Sequence, residues 1–337
     1  MSDRPPASAW TPAYSQGVAA ALLSAVVLGL APIFGKQAIL AGTPPLSVVA
    51  LRTVLATAAL WGLFALTARW RRYVYIYPVG LLGCLAAGVI NGLGSLMYYT
   101  GLGRLDASVA HLLYTLYPIF LTLMARLEGH RISAFTAFRM ALALAAVYLL
   151  TRQAHAPADW LGAALMIGAG LLYALHLSVN QRVLYDVPAP TVALYNLTAM
   201  SVTVSVGYLA AGAPALPPGA AAWEAVWLLT LVTLISRVAL FLGVKHLGGV
   251  QTAIIGLSEV LVTVLAALAL LGETLAPAQW LGALLLAASV LLVGRERSLG
   301  APPAPKSWTT LIAMHTTPDP TAAQAARPDD EPRGNRI

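Results

Sequence analysis

Ionisable side chains are scarce in this sequence, and five of them sit inside long apolar runs: Lys36, Arg52, Arg139, Arg237 and Glu259. A charged group at the centre of a bilayer costs at least about 2.5 kcal/mol on insertion scales, so such residues face a cavity or a partner rather than lipid. Four cations against one anion make an interior whose like charges repel in a low dielectric until something anionic joins them. A substrate carboxylate or phosphate meets that need. Lys36 and Arg52 approach one membrane surface on consecutive helices, where they either snorkel to the interface or form one basic gate. Arg139, near the inner end of its run, fits snorkelling better. Arg237, about two turns from the end of its own run, has the stronger claim on a substrate anion.

Hydrogen-bonding and aromatic residues cluster in the same runs: Asn91, Ser95, Tyr98 and Tyr99, then His111, Tyr114 and Tyr117, then Tyr173, His176 and Asn180, then Tyr195 and Asn196. Ser95 and Tyr99 are one helical turn apart and share a face, as do His111 with Tyr114 and Tyr173 with His176. A cavity lined this way suits an amphipathic solute with an apolar body and polar handles. Tyr117 and Tyr195, near the ends of their runs, fit an interfacial aromatic belt better. The expected substrate-binding set is therefore Lys36, Arg52, Ser95, Tyr99, His111, Tyr114, Tyr173, His176 and Arg237. Glu259, the one acid inside a run and near mid-depth, is the expected proton-coupling residue. A carboxylate whose surroundings alternate between dry and cation-bearing takes up a proton on one side and releases it on the other. A static ion pair with Arg237 is the alternative.

The elements that position these residues follow from composition. Of 337 residues 59% are hydrophobic and 10% charged, with a mean hydropathy of +0.76; soluble domains carry about a quarter charged residues. Apolar runs fall at about 17–40, 46–68, 74–101, 107–127, 134–152, 160–182, 189–212, 222–245, 250–272 and 277–294. Each matches the roughly 20 residues a membrane helix needs, and so little polar sequence is left that no soluble shell can cover them. The lipid bilayer is the first partner. If the N-terminus is cytoplasmic, fourteen Lys and Arg residues fall on the inner side and only Arg104 and Arg152 in outer loops, which places both termini in the cytoplasm. Residues 1–16 form an N-terminal tail that makes a poor signal peptide. Residues 295–337 hold seven prolines among charged and small residues, the composition of a disordered cytoplasmic tail; Leu311–Met314 within it is incidental.

Several chemistries are excluded. The single cysteine, Cys84, permits no intrachain disulfide and no thiolate cluster, and no His, Cys, Asp or Glu group has metal-ligand spacing. GLAPIFGKQ, starting at Gly29, is one residue too long between its glycines for a P-loop and has Gln37 where Ser or Thr would ligate magnesium. The sequences starting at Gly92 and Gly101 lack the third glycine of a dinucleotide fold. No nucleophile motif is present, so neither enzyme chemistry nor a cofactor is expected. The net charge of +7 is scattered between apolar runs, which argues against nucleic acid. Gly88-x-x-x-Gly92 and Ala164-x-x-x-Gly168 let helices approach closely, within the chain rather than between copies. Pro32 and Pro118 interrupt the helices that carry them.

The chain also repeats. Gly101 to Leu150 can be laid against Gly243 to Val293 with one small gap: a short loop, a long apolar helix, a Leu-x-Gly or Leu-Gly-Glu terminus, then a shorter helix. A five-helix repeat in a ten-helix chain places its halves, 17–152 and 153–294, in opposite orientation, as in many secondary transporters. The fold class expected is all-α integral membrane, ten transmembrane helices as two inverted five-helix repeats.

GLAPIFGK from Gly29, Pro44 or Pro45 followed by Arg52, and LLGETLAPAQWLG from Leu270 to Gly282 together resemble the drug/metabolite transporter superfamily, specifically its ten-helix EamA-type permeases. In the first repeat LEGHRIS, from Leu127, has His130 where that family carries glutamate. The resemblance covers about residues 17–294 and implies a metabolite exporter or exchanger. The reading is a secondary transporter of small organic metabolites such as amino acids, in a bacterial inner membrane. A carrier of phosphorylated or nucleotide-linked sugars is the rival within transport, and a non-transporting membrane scaffold the rival outside it.

Overall fold

The computed structural model describes residues 12–127, 159–248 and 258–291, with scattered positions between 138 and 150 and at 252, 255 and 256. His130, Arg131, Arg139, Arg152, most of the expected fifth run and everything after residue 291 lie outside the described residues. Every regular element among the described residues is helical. The first run is α1 (Pro12–Gly29) and α2 (Ala31–Leu40), joined at Leu30. It is followed by α3 (Pro45–Leu66), the short α4 (Ala68–Arg71), α5 (Pro78–Arg104), α6 (Ala107–Tyr114) and α7 (Tyr117–Leu127). The second half holds α8 (Trp160–Val183), α9 (Ala189–Ala210), α10 (Ala220–Leu247), α11 (Ser258–Ala266) with a π-helical turn over Ala267–Leu271, and α12 (Pro277–Leu291).

Six stretches are long and apolar enough to cross a membrane: Tyr14–Leu40, Pro45–Leu66, Pro78–Arg104, Trp160–Val183, Ala189–Ala210 and Ala220–Leu247. The expected fourth and ninth runs differ, each containing a shorter apolar helix, Ala107–Leu121 and Ser258–Leu271. Proline is the reason in the fourth. Pro118 has no N–H to continue α6 but is tolerated in the first turn of a helix, so α6 stops at Tyr114 and α7 restarts at Tyr117. Pro32 acts likewise at the start of α2. In the ninth, Gly272 adopts φ +65 directly after the π turn, a conformation that glycine reaches without a Cβ clash, and the chain turns back.

The helices are inside out relative to a soluble protein. On α5, Leu82, Leu85, Val89 and Leu93 are exposed along one face while Asn91, Ser95 and Tyr99 are buried on the other. An apolar stripe at helical spacing that faces outward from a polar interior is the arrangement hydrocarbon selects.

Packing between the halves is symmetric. α5 packs most extensively on α8 and α1 on α10; α3 crosses α9; α6 and α7 lie on α8 as α11 lies on α1. Exchanging α1–α8, α3–α9, α5–α10 and α6/α7–α11 maps this set of contacts onto itself. Close approach depends on small residues. A Cβ on Gly88 would lie 2.5 Å from the Asn196 carbonyl oxygen, and one on Gly92 would lie 2.6 Å from Thr203 Cβ. The first glycine pair is thus spent on α9 of the same chain, and Gly168 meets Met97 of α5.

Candidate substrate cavity

α3, α5, α6, α8 and α10 enclose a cavity at the junction of the two halves. Its polar walls are Arg52, Asn91, Ser95, Tyr98, Tyr99, His111, Tyr114, Tyr173 and Arg237, and Leu28, Ala31 and Pro32 close it beside the α1–α2 break. The open volume is about 50 Å³, room for a few waters. Arg52 does not snorkel: it is 4% exposed and turns inward. Its Nη1 donates to Thr233 Oγ1 at 3.0 Å, its Nη2 reaches Ser95 Oγ at 3.5 Å, and its guanidinium carbon stands 4.7 Å from the Tyr99 ring centroid. Thr233 lies one turn before Arg237 on α10, so the two arginines share a wall. Arg237 is 8% exposed, and its guanidinium lies 6.0 Å from the Tyr173 ring centroid.

Several buried polar atoms around this cavity have no hydrogen-bond partner: Arg52 Nε, Arg237 Nε and Nη1, His111 Nε2 and Glu259 Oε1; among the described residues the one other such atom is Thr43 Oγ1. A buried group left unsatisfied costs about 1–3 kcal/mol, more if charged. Concentrating them in one place marks a site shaped for something other than folding.

Glu259 lies in an adjoining cavity of about 10 Å³ that shares Leu28 and Tyr173 with the first and is also lined by Ser24, Tyr117, Thr252 and Gly256. Tyr117, assigned from sequence to an interfacial belt, instead lines this cavity together with Glu259. Among the described residues no Glu259–Arg237 contact falls within ion-pair distance; His111 Nε2 stands 3.8 Å from Glu259 Oε1, and His111 Nδ1 faces the Tyr98 hydroxyl at 3.4 Å.

Two members of the expected substrate-binding set, His176 and Lys36, do not line either cavity. His176 is fully buried behind Tyr173, stacked on it with centroids 5.7 Å apart, and its Nδ1 lies 3.0 Å from the Ala87 carbonyl oxygen. Asn180 and Asn196 continue that chain of hydrogen bonds. Lys36 Nζ donates to the carbonyl oxygens of Leu102 and Leu105 at 3.0 and 2.7 Å, satisfying the end of α5. Beside it, Glu273 from the second half accepts from the backbone N–H groups of Ala107 and Ser108 at 2.6 and 2.9 Å and from Ser108 Oγ at 2.6 Å. It caps α6 in place of the local Asp106, whose side chain makes no capping bond. Sequence reasoning left Tyr98, Thr233 and Glu273 out of the candidate set, although Tyr98 stands in the polar and aromatic cluster of its run.

The EamA-like transporter family matches the chain twice, over residues 15–152 and 160–295. The chain belongs to the EamA-like transporter family. Each matched segment of this EamA-like transporter contributes one arginine to the shared cavity, Arg52 from the first and Arg237 from the second, and the facing His111 and Glu259 divide in the same way. No curated protein matches the sequence. A crystal structure described only as that of a protein is similar at 21% identity with a TM-score of 0.57, covering 86% of this chain and 99% of that one. That likeness shows the fold alone.

Proposed function

We propose that this EamA-like transporter is a secondary active carrier, an exporter or exchanger, that moves a small organic metabolite with an acidic group, amino acids foremost, by alternating access. The observation that carries the reading is the pair of buried guanidiniums, Arg52 and Arg237, whose unpartnered N–H groups border one cavity between the halves. Guanidinium binds carboxylate and phosphate oxygens by charge-assisted hydrogen bonds, and the surrounding tyrosines offer apolar faces to a solute body. A scaffold has no use for buried cations without partners, which disfavours that alternative. Two cations on one cavity also favour phosphate, so carriers of phosphorylated or nucleotide-linked sugars remain the second reading.

A cavity of about 50 Å³ is too small for such a solute, so loading requires the walls to part. The breaks at Leu30 and at Thr115–Leu116, on either side of the cavity, suit helices that bend as the halves rock. We place ten helices in two inverted repeats, 17–152 and 153–294, in a bacterial inner membrane with both termini cytoplasmic, and assign proton coupling to Glu259. Flux into proteoliposomes with a panel of labelled amino acids, phosphorylated sugars and neutral analogues tests the substrate class: uptake of neutral analogues as fast as acidic solutes sinks the arginine assignment. Reporter fusions after Thr43 and after Arg72 are expected on opposite sides, the first outside; agreement on one side removes the inverted repeat.

A further inference from the structure

His111 and Glu259 present to each other two buried atoms that nothing else satisfies. Nε2 of the imidazole and Oε1 of the carboxylate are 3.8 Å apart, and both residues are at most 2% exposed. That separation is too long for a hydrogen bond between them. His111 also stands in the wall between the two cavities. It lines the one bordered by Arg52 and Arg237, whereas Glu259 lines the other, and its Nδ1 faces Tyr98, another wall of the arginine cavity.

Among the described residues, the remaining charged and titratable groups around Glu259 are Tyr117 on α7, Tyr114 on α6, Tyr98 on α5, Tyr173 on α8 and Arg237 on α10. α1 contributes only the Ser24 hydroxyl, which donates to the Ser236 carbonyl oxygen, and Lys36 of α2 is committed to the end of α5. Among the described residues Arg237 is the guanidinium whose charge reaches Glu259, and it is also one of the two that border the arginine cavity.

We infer that Glu259 and His111 together hold one exchangeable proton, and that an anion bound at Arg52 and Arg237 strengthens its binding, so that proton and acidic solute cross in the same direction, outward wherever the solute gradient outweighs the proton gradient. This rests on the substrate reading above. The proton enters from one side, sits on Oε1 and donates to the lone pair of Nε2 while Nδ1–H donates to the Tyr98 oxygen, closing the gap to hydrogen-bond length. On release to the other side the carboxylate is left ionised and the imidazole neutral, and no other bond changes. The coupling is electrostatic. With Arg237 unneutralised, its positive charge opposes the arrival of a proton next door; an anion on Arg237 cancels that opposition. By linkage the proton then strengthens anion binding by the same factor, and positive coupling between two ligands of one carrier is the condition for cotransport.

Infrared difference spectroscopy of the full chain in lipid vesicles, across a pH titration, tests the proton site without a substrate. The expected result is one protonated-carboxyl band that is lost in Glu259→Gln and shifts in frequency in His111→Gln; Glu259→Asp, which keeps the acid and moves it, retains a displaced band. Absence of a band assignable to Glu259, or a band indifferent to His111→Gln in protein that still elutes as folded, overturns the shared proton. Benzoate, a plain carboxylate on an aromatic body, then probes the coupling. It is expected to raise the apparent proton affinity about fivefold or more and to have no such effect in Arg237→Gln. A fall or no change overturns the coupling. Failure of the whole labelled-solute panel with an intact band instead counts against the substrate reading, so the two are separable.

Discussion

The half-buried Glu273–Lys36 region and the buried Arg52–Arg237 region are both polar and built from both halves, yet they treat their charges differently. Both Glu273 oxygens are bonded, by two backbone N–H groups and one hydroxyl, and Lys36 donates to two carbonyls at the end of the adjoining helix. Their partners are the orphan groups that every helix end leaves behind. In and beside the arginine cavity, five atoms on Arg52, Arg237, His111 and Glu259 have no partner. Charges that complete helix ends hold a structure together; charges kept buried without partners cost stability that only a ligand or proton returns. The first region therefore reads as a structural clasp between halves, and the second as the proposed site.

The contrast is tested most strongly by Arg237→Gln. A charge-assisted hydrogen bond is worth about 1.5–3 kcal/mol, so the half-saturation concentration for an acidic solute should rise roughly tenfold to a hundredfold, while a neutral analogue changes less. The melting temperature in detergent should hold or increase, because removing an unpaired buried charge relieves a cost. Equal loss for both solutes, with a lowered melting point, would move Arg237 to the structural class.

Glu273→Ala should do the reverse. Stripping three bonds from the start of α6 is expected to cost about 1–3 kcal/mol, read as a lower melting temperature, with transport per folded molecule largely retained. Unchanged melting with altered substrate affinity would erase the distinction between the regions. Lys36→Met is expected to follow Glu273→Ala with a smaller loss, about 1 kcal/mol, because water can reach the half-buried carbonyls it leaves.

The smallest effect belongs to the surface. Asp159 caps α8 by accepting from the Gly162 N–H at 2.7 Å and pairs with Arg104 at 2.9 Å; these hold its carboxyl below the usual carboxylate range. A lowered carboxylate pKa adds stability above the unfolded-state value that is lost as pH falls through the folded one. Melting of the wild type should therefore decline on acidification through that range, and Asp159→Ala, at about 1 kcal/mol or less, should remove that part of the decline. Arg104→Ala alone should barely register.

The class of protein is written in the sequence because the cost of burying a charge is a property of the residue and the run around it. Ten apolar runs, their sparse ionisable residues and the repeat at LLGETLAPAQWLG needed no coordinates, and Arg52, Arg237 and Glu259 stood out for that reason alone. Tertiary structure decided what each charge faces. Arg52 and Lys36 look alike in sequence, each within two turns of a run's end, but Arg52 turns onto Thr233, 181 positions away, and Lys36 onto Leu102 and Leu105. His111 and His176 both sit one turn from a tyrosine; the first meets Glu259, and the second is used up by Ala87 and Asn180. Those outcomes depend on how each helix is rotated about its axis, which is set where Gly88 and Gly92 let α5 sink against α9 and where Pro118 ends α6 early. Partners that distant are chosen by packing, and no local pattern carries the rotation that brings them together.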